Sequence, residues 1–106
     1  MAARQAGTLV EDTRAPVVSS VRTTLTTGRA VVRWTTTADR SDSQVQYWRK
    51  ATPGTVTTTP LDLRFVEAHT VNLSGLRART VYQYRVISTD VAGNRTVSAT
   101  GSFTSR

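Results

Sequence analysis

The chain has one histidine, His69, and no cysteine, which limits the chemistry that its side chains could perform. A zinc site needs several imidazole or thiolate ligands, so neither a histidine cluster nor a thiolate site is available. A Ser–His–Asp triad is formally possible, but the sequence lacks the Gly-x-Ser-x-Gly elbow of many hydrolases. We therefore predict that His69 packs at a strand end and that the chain is not an enzyme, with no catalytic residue, metal or cofactor.

Asp39, Asp42 and Asp90 are the carboxylates that could suggest calcium. Calcium takes 6–8 oxygen ligands, and no Asp-x-Asp-x-Asp-Gly loop is present to supply them. We expect instead that Asp90 and Asn94 close a hairpin through hydrogen bonds from side chain to backbone. The acidic residues thus predict turns rather than an ion site.

Trp48 is the residue most suggestive of binding. Strand alternation places it on the solvent side of a predicted strand together with Gln46, beside Arg85 and Ile87 of a later strand. An exposed indole next to a guanidinium can stack on a sugar ring or a base, or anchor a protein partner. These four residues form our candidate binding surface. The alternative is that Trp48 lies flat on the sheet and covers arginine side chains.

The net charge is +7, and Lys50 is the one lysine among 14 basic residues. Such an excess favours acidic partners such as nucleic acid, anionic polysaccharide or lipid headgroups. The basic residues are nevertheless scattered along the chain, singly or in pairs, whereas a functional field needs them on one face. We therefore expect arginines spread over a solvated surface, and we do not expect a nucleic-acid partner. A polyanion-binding module that uses scattered arginines and Trp48 is an alternative.

Period-two alternation predicts seven short strands, at residues 17–24, 29–35, 44–50, 55–58, 69–73, 80–89 and 97–104. Residues 36–43 read as a polar loop, and residues 60–67 as a crossing connection. Seven strands separated by turn residues are typical of an all-β sandwich of two antiparallel sheets. The side chains predicted to point inward are Val18, Val21, Ala30, Val32, Trp34, Val45 and Tyr47, with Leu61, Leu63 and Phe65 beneath the connection. In the last three strands, the residues predicted to share one face are His69, Val71 and Leu73; Tyr82, Tyr84, Val86 and Ser88; and Val97, Ala99, Gly101 and Phe103.

Leu73-Ser-Gly-Leu76, followed by Tyr82, resembles the E–F corner of fibronectin type III domains. There a leucine packs beneath the turn and a tyrosine hydroxyl bonds to upstream backbone. The chain is still more similar to the bacterial variety and to the domain that precedes the catalytic unit of purple acid phosphatases. Ala78-Arg79 departs from the Pro-Gly common at that point, and we expect the corner to persist. The motifs that carry this resemblance are His69/Val71/Leu73, Leu76, Thr80/Tyr82/Tyr84/Arg85/Val86, Asp90/Ala92/Gly93/Asn94 and Ser102/Phe103/Thr104.

The resemblance covers about residues 15–104 and implies a fibronectin type III-like, immunoglobulin-like sandwich. Its expected structural residues are Tyr82, Leu76, Trp34, Tyr47 and Phe103. We assign residues 15–106 to this domain and residues 1–14 to a linker or tail, in which Leu9 and Val10 form a possible strand-pairing segment. No stretch approaches the roughly 20 apolar residues of a membrane span.

What the resemblance implies for function is a non-catalytic accessory, spacer or adhesion module of a larger secreted or surface bacterial protein. Such a module would orient neighbouring domains or contact protein or carbohydrate, outside the cell or at its surface. We expect any secretory signal to lie upstream, because the N-terminus has no apolar segment. The main alternative is a structural subunit that assembles into an oligomer or fibre through Leu9, Val10 and its sheet edges.

Overall fold

A computed structural model describes residues 14–106, which form nine β-strands and no helix, so none of them belongs to a helix that could cross a membrane. The strands are β1 (Val17–Thr26), β2 (Arg29–Thr37), β3 (Ser41–Arg49), β4 (Thr57–Thr58), β5 (Asp62–Val66), β6 (Ala68–Leu73), β7 (Val81–Thr89), β8 (Arg95–Val97) and β9 (Gly101–Thr104). The predicted tail, with Leu9 and Val10, lies almost entirely outside the described residues.

Two antiparallel sheets confirm the predicted all-β sandwich. The smaller sheet has the order β1-β2-β6, and the larger has the order β4-β3-β7-β8, with β5 beside β3 and β9 beside β7. The described residues contain nine strands rather than the predicted seven, because the connection at residues 60–67 includes β5 and the last predicted strand is divided into β8 and β9.

The core lies between the sheets and is centred on Trp34. This indole is 1% exposed, stacks on His69 at 4.8 Å between ring centroids, and donates from Nε1 to Ser88 Oγ of the opposite sheet at 2.9 Å. The predicted inward face of β2 is thereby confirmed, and the predicted shared faces of β6 and β7 are the ones that meet it. The buried apolar cluster comprises Ala30, Val32, Trp34, Val45, Leu73, Leu76, Tyr82, Tyr84, Val86 and Phe103, with Val18, Leu25, Tyr47 and Val71 packed against it.

The prediction that Val21 points inward is wrong. A β-bulge between Ser19 and Arg22 inserts one extra residue into β1, and Ser20 takes a positive φ of 54°. Because side chains alternate along a strand, one inserted residue reverses the face of everything that follows. Val18 therefore packs against the core before the bulge and Leu25 packs against it afterwards, whereas Val21 lies within the bulge itself and is exposed.

The polar stretch at residues 36–43 is mostly strand rather than loop. β2 continues to Thr37 and β3 starts at Ser41, which leaves a turn at residues 38–40 with Ala38 at φ 78°. Thr36 and Ser41 are 1% and 0% exposed, because their hydroxyl groups bond to each other at 3.1 Å and to the buried ring of His69. Satisfied hydroxyl groups thus replace apolar side chains in this part of the core.

Leu61, Leu63 and Phe65 were predicted to lie beneath the crossing connection, and this is wrong. They are 47%, 66% and 36% exposed. The physical reason is that β5 pairs with β3 through its main chain at the margin of the larger sheet. It covers an otherwise open strand edge without facing the core.

The last predicted strand does not keep one face inward. Ile87 pairs with Val97, but Tyr84 pairs with Gly101, so one extra residue lies between β8 and β9. Val97 is consequently 46% exposed on the face opposite to Phe103, and Ala99 is also exposed. The expectation that Val97 and Phe103 lie on the same face of one strand is wrong.

The corner between β6 and β7 forms as the resemblance implied. The Tyr82 hydroxyl accepts a hydrogen bond of 2.9 Å from the Arg77 amide, and Leu76 is buried beneath the turn. Arg79 has φ 49°, the left-handed conformation that glycine adopts most readily. The corner therefore persists with arginine at a position where the resembled family commonly has glycine.

Candidate functional site

Trp48 lies on the outer face of β3, as predicted, but it is not the exposed platform that we expected. The strand pairing sets Trp48 opposite Gln83 and Gln46 opposite Arg85. The indole is 9% exposed, donates from Nε1 to Gln83 Oε1 at 3.0 Å, and lies 5.3 Å from the guanidinium carbon of Arg85. The prediction of an open stacking surface is wrong, because neighbouring side chains cover the ring. The alternative, in which Trp48 lies flat on the sheet, agrees with this burial.

Arg85 is held on this face by Gln46. Its Nε donates to Gln46 Oε1 at 2.7 Å while its guanidinium packs near the indole of Trp48. A charge-assisted hydrogen bond and a cation–π contact together restrict the orientation of the guanidinium. The side chains in contact form a preformed polar layer over the sheet, in the order Gln46, Arg85, Trp48 and Gln83.

Ile87, the fourth residue of the candidate surface, is 3% exposed. It lies on the central strand β7, between Gln44 of β3 and Val97 of β8 in the strand pairing. Neighbours on both sides cover it, so the prediction that it contributes an exposed binding residue is wrong. The structure brings all four predicted residues together on one face but leaves half-buried Gln46 and Arg85 as its accessible members.

A cleft of about 470 Å³ opens beside this polar layer. Trp48, Gln83 and Arg85 form its floor, and the walls include Pro53 and Val56 from the β3–β4 connection. Thr100, from the irregular segment between β8 and β9, completes the lining. These three wall residues were missed because strand alternation carries no signal for where a connection folds. The cleft combines apolar walls with guanidinium, amide and hydroxyl groups, which suits one polar side chain or one sugar unit.

His69 is confirmed as a packing residue and lies in a buried polar network. Its Nδ1 is 2.7 Å from Ser43 Oγ, and its Nε2 is 2.8 Å from Thr36 Oγ1. Burial lowers the pKa of His69 below its ordinary value, and the carboxylates of Asp42 and Asp62 oppose part of that shift. Because His69 and Ser43 are each 2% exposed, a substrate cannot reach this Ser–His pair.

The carboxylates considered for calcium serve the backbone instead. Asp42 Oδ1 accepts from the Thr89 amide at 2.9 Å, and Asp90 Oδ1 accepts from the Asn94 amide at 2.9 Å. The latter bond, with Gly93 at φ 91°, confirms the predicted hairpin closure. Within residues 14–106, no three potential ligand side chains converge as a metal site would require.

Comparison with known proteins gives a consistent fold. The family model for the N-terminal domain of purple acid phosphatase matches residues 18–105. A search of curated proteins finds no significant match.

Among solved structures, the chain is similar to a myokine, with TM-score 0.71, 22% identity, and coverage of 87% of this chain and 97% of that one. It is also similar to the sensor domain of the anti-sigma factor RsgI4 in Pseudobacteroides cellulosolvens, with TM-score 0.62, 16% identity, and coverage of 89% and 97%. A redesigned β-sandwich protein matches with TM-score 0.61, 24% identity, and coverage of 87% and 94%. At these identities the structural matches establish the sandwich fold alone.

Proposed function

Since the chain belongs to the family of the purple acid phosphatase N-terminal domain, we propose that it is a non-catalytic accessory module that orients a neighbouring domain. The proposal includes a location outside the cell or at its surface, as part of a larger protein. The observation that carries it is the family match over residues 18–105. A sandwich in which β1 starts at one end and β9 finishes at the other suits a spacer.

The attachment of the last residues supports this role. Ser105 is 3% exposed, and its Oγ accepts from the Thr80 amide at 3.0 Å and donates to the Arg77 carbonyl. The Arg106 carbonyl accepts from the Gly28 amide at 2.9 Å. Because these bonds tie the end of β9 to two turns, a domain attached there would be held in a defined orientation relative to the sandwich.

Hydrogen exchange tests the orientation role. We expect the Gly28 and Thr80 amides to be protected nearly as strongly as core amides of β7. Ser105→Ala should speed exchange at both sites, whereas Ser102→Ala, at an exposed position of β9, should not. Rapid exchange of both amides in the unmodified chain would contradict a fixed orientation of the segment that follows β9.

A second assay tests the non-catalytic assignment. Hydrolysis of p-nitrophenyl phosphate with added divalent metal should show no turnover, and measurable turnover would overturn this assignment.

The cleft beside Trp48 supports contact with protein or carbohydrate as part of the same role. Its occupant would meet Arg85 and Gln83 on the floor and Val56 on the wall. Titration with a neutral oligosaccharide such as cellohexaose, followed by Trp48 fluorescence, tests the carbohydrate case. Val56→Arg should block binding, and Val91→Arg, on the distant hairpin, is the matched control. Unchanged fluorescence at millimolar sugar would remove carbohydrate from this proposal.

A second candidate function is assembly through strand pairing. A groove of about 620 Å³ lies between β1 and the β8–β9 side of the sandwich, lined by Val17, Val21, Tyr84 and Val97 among others. Among residues 14–106, β1 pairs with β2 alone, so its other edge could accept an added strand. The apolar pair Leu9 and Val10 of a second copy is the proposed occupant.

Light scattering decides this second candidate. The full chain and a chain lacking residues 1–13 should be compared over a range of concentrations. A mass above 11.6 kDa that returns to the monomer value on truncation supports assembly through the tail. A monomer at all concentrations, or identical assembly after truncation, contradicts it.

A further inference from the structure

Basic residues that are scattered in the sequence meet at one end of the sandwich. We call this end the basic pole, and it consists of Arg29, Arg49, Lys50, Arg77, Arg79 and Arg106. Five of these side chains are exposed, and Arg49 is half-buried. The other basic residues of the described part, such as Arg22, Arg40 and Arg64, lie elsewhere on the sandwich.

Backbone hydrogen bonds hold the pole together. The Gly28 amide bonds to the Arg106 carbonyl at 2.9 Å, and the Leu76 amide bonds to the Gly28 carbonyl at 3.0 Å. On the other side, the Lys50 amide bonds to the Val81 carbonyl at 2.9 Å. The turns that carry the cations are thus locked to one another, so the backbone positions of the basic residues are fixed relative to one another.

The carboxylates of the described residues lie at the other end. Asp90 forms a main-chain β-bridge with Ser41, and Asp62 lies opposite Ser43 in the pairing of β5 with β3. The Glu67 carbonyl accepts a hydrogen bond from the Thr36 amide. Asp39 and Asp42 belong to the same region, at the turn before β3 and at its start. Within residues 14–106, no acidic side chain lies at the basic pole, so its basic side chains are not neutralised by acidic ones.

We propose that the basic pole binds an acidic polysaccharide, at a site separate from the Trp48 cleft. Arginine predominates among the residues of the basic pole, and its planar guanidinium group pairs with carboxylate or sulfate through two hydrogen bonds. Exposed hydroxyl groups of Thr26, Thr27 and Ser74 lie among the cations and can bond to sugar hydroxyls. A hydrated, flexible polymer with regularly spaced charges can contact several of these cations at once.

Other polyanions fit the pole less well. Modules that bind single-stranded nucleic acid offer exposed aromatic rings, but Trp34 and Trp48 are 1% and 9% exposed and lie in the body of the sandwich. Duplex readers insert a helix or strand into a groove, and the described part of the pole is made of strand ends and short turns. A membrane surface usually gains from insertion of several large apolar side chains, and the exposed ones near the pole among the described residues are Val81 and, in the β3–β4 connection, Val56.

The test uses the full chain and two charge-matched variants. The pole variant carries Arg29→Gln, Lys50→Gln and Arg77→Gln. The control variant carries Arg22→Gln, Arg40→Gln and Arg95→Gln, which removes the same net charge from exposed positions outside the pole. Affinities for polygalacturonate, heparin, duplex DNA and phosphatidylserine vesicles are measured between 20 and 200 mM salt, after thermal melting shows that each variant folds.

The proposal predicts binding to at least one acidic polysaccharide that weakens steeply with salt. Polygalacturonate and heparin distinguish carboxylate from sulfate recognition. The pole variant should lose at least about tenfold in affinity at low salt, because each cation near an anionic surface contributes appreciably, and the control should lose less than about threefold. Equal losses in both variants, absence of polysaccharide binding, or tighter binding to DNA or vesicles would each overturn it.

Discussion

Acidification should destabilise this fold through its single histidine, His69. The ring is 2% exposed, and burial lowers its pKa below the ordinary value of 6.5. The unfolded chain therefore binds a proton more readily than the folded one in the interval just below pH 6.5. Stability is complete above that pH and declines as the pH falls toward the lower pKa of the folded state.

The size of the effect has an upper bound that depends on the unfolded chain alone. At pH 5.5, one unit below the ordinary pKa, protonation of an unfolded histidine stabilises the unfolded state by about 1.4 kcal/mol. The loss approaches this value if His69 stays neutral in the fold. Asp42 and Asp62 favour the charged ring and so reduce the loss.

Urea unfolding followed by tryptophan fluorescence measures this loss, because Trp34 stacks on His69. The free energy of unfolding should be constant between pH 8 and 7 and lower at pH 5.5. His69→Phe preserves a ring against Trp34 and should remove the pH dependence in this interval. That variant should also be less stable at pH 8 by about 1–3 kcal/mol, because the Ser43 hydroxyl loses its partner.

Two results would refute this reasoning. If the free energy of unfolding of the natural sequence does not fall between pH 7 and 5.5, burial does not exclude the proton from His69. If His69→Phe shows the same decline, another group is responsible. The Asp62 pKa is lowered to about 2 by its bond to Arg64, so that carboxylate affects stability only at more acidic pH.

The remaining predictions concern the corner and two glycines, and all are checked by urea unfolding. Tyr82→Phe should cost about 1–2 kcal/mol because the Arg77 amide loses its acceptor, while Tyr84→Phe leaves that bond intact and is the control. Gly101→Ala should cost about 1–3 kcal/mol because its Cβ would lie 3.0 Å from the buried ring of Tyr84. Gly54→Ala, with nothing within 4 Å, should change stability by less than about 1 kcal/mol in either direction. Equal costs at the two glycines, or at the two tyrosines, would contradict the packing described here.

The sequence predicted the regular parts of this fold well, because they follow from local pattern. Alternation along β2 and β7 places Val32, Trp34 and Val86 inward, and each is at most 1% exposed. What it could not predict are single inserted residues. The bulge between Ser19 and Arg22 and the irregular segment between β8 and β9 have no sequence signature, yet each changes which positions face inward. Val21, which lies inside the bulge, and Val97, which precedes the extra residue, were therefore misassigned.

The candidate surface shows a second limit of pattern reasoning, which concerns burial rather than direction. Alternation correctly places Trp48, Arg85 and Gln46 on the outer face. It cannot tell whether an outward side chain is exposed, because that depends on what its cross-strand neighbours do. Here Gln83 bonds to the indole and Arg85 lies near its ring, so a residue on the solvent face is 9% exposed.

The basic pole shows why charges spaced along an antiparallel chain are poorly judged from their spacing. Successive strands run in opposite directions, so residues near alternate turns return to the same end of the sandwich. Arg29 begins β2, Arg49 ends β3, and Arg77 lies in the turn before β7, which places all three at one end. Intervals of 20 and 28 residues therefore correspond to turns at one pole rather than to a uniform distribution. For a β-sandwich, the relevant test of charge clustering is which strand ends carry the cations.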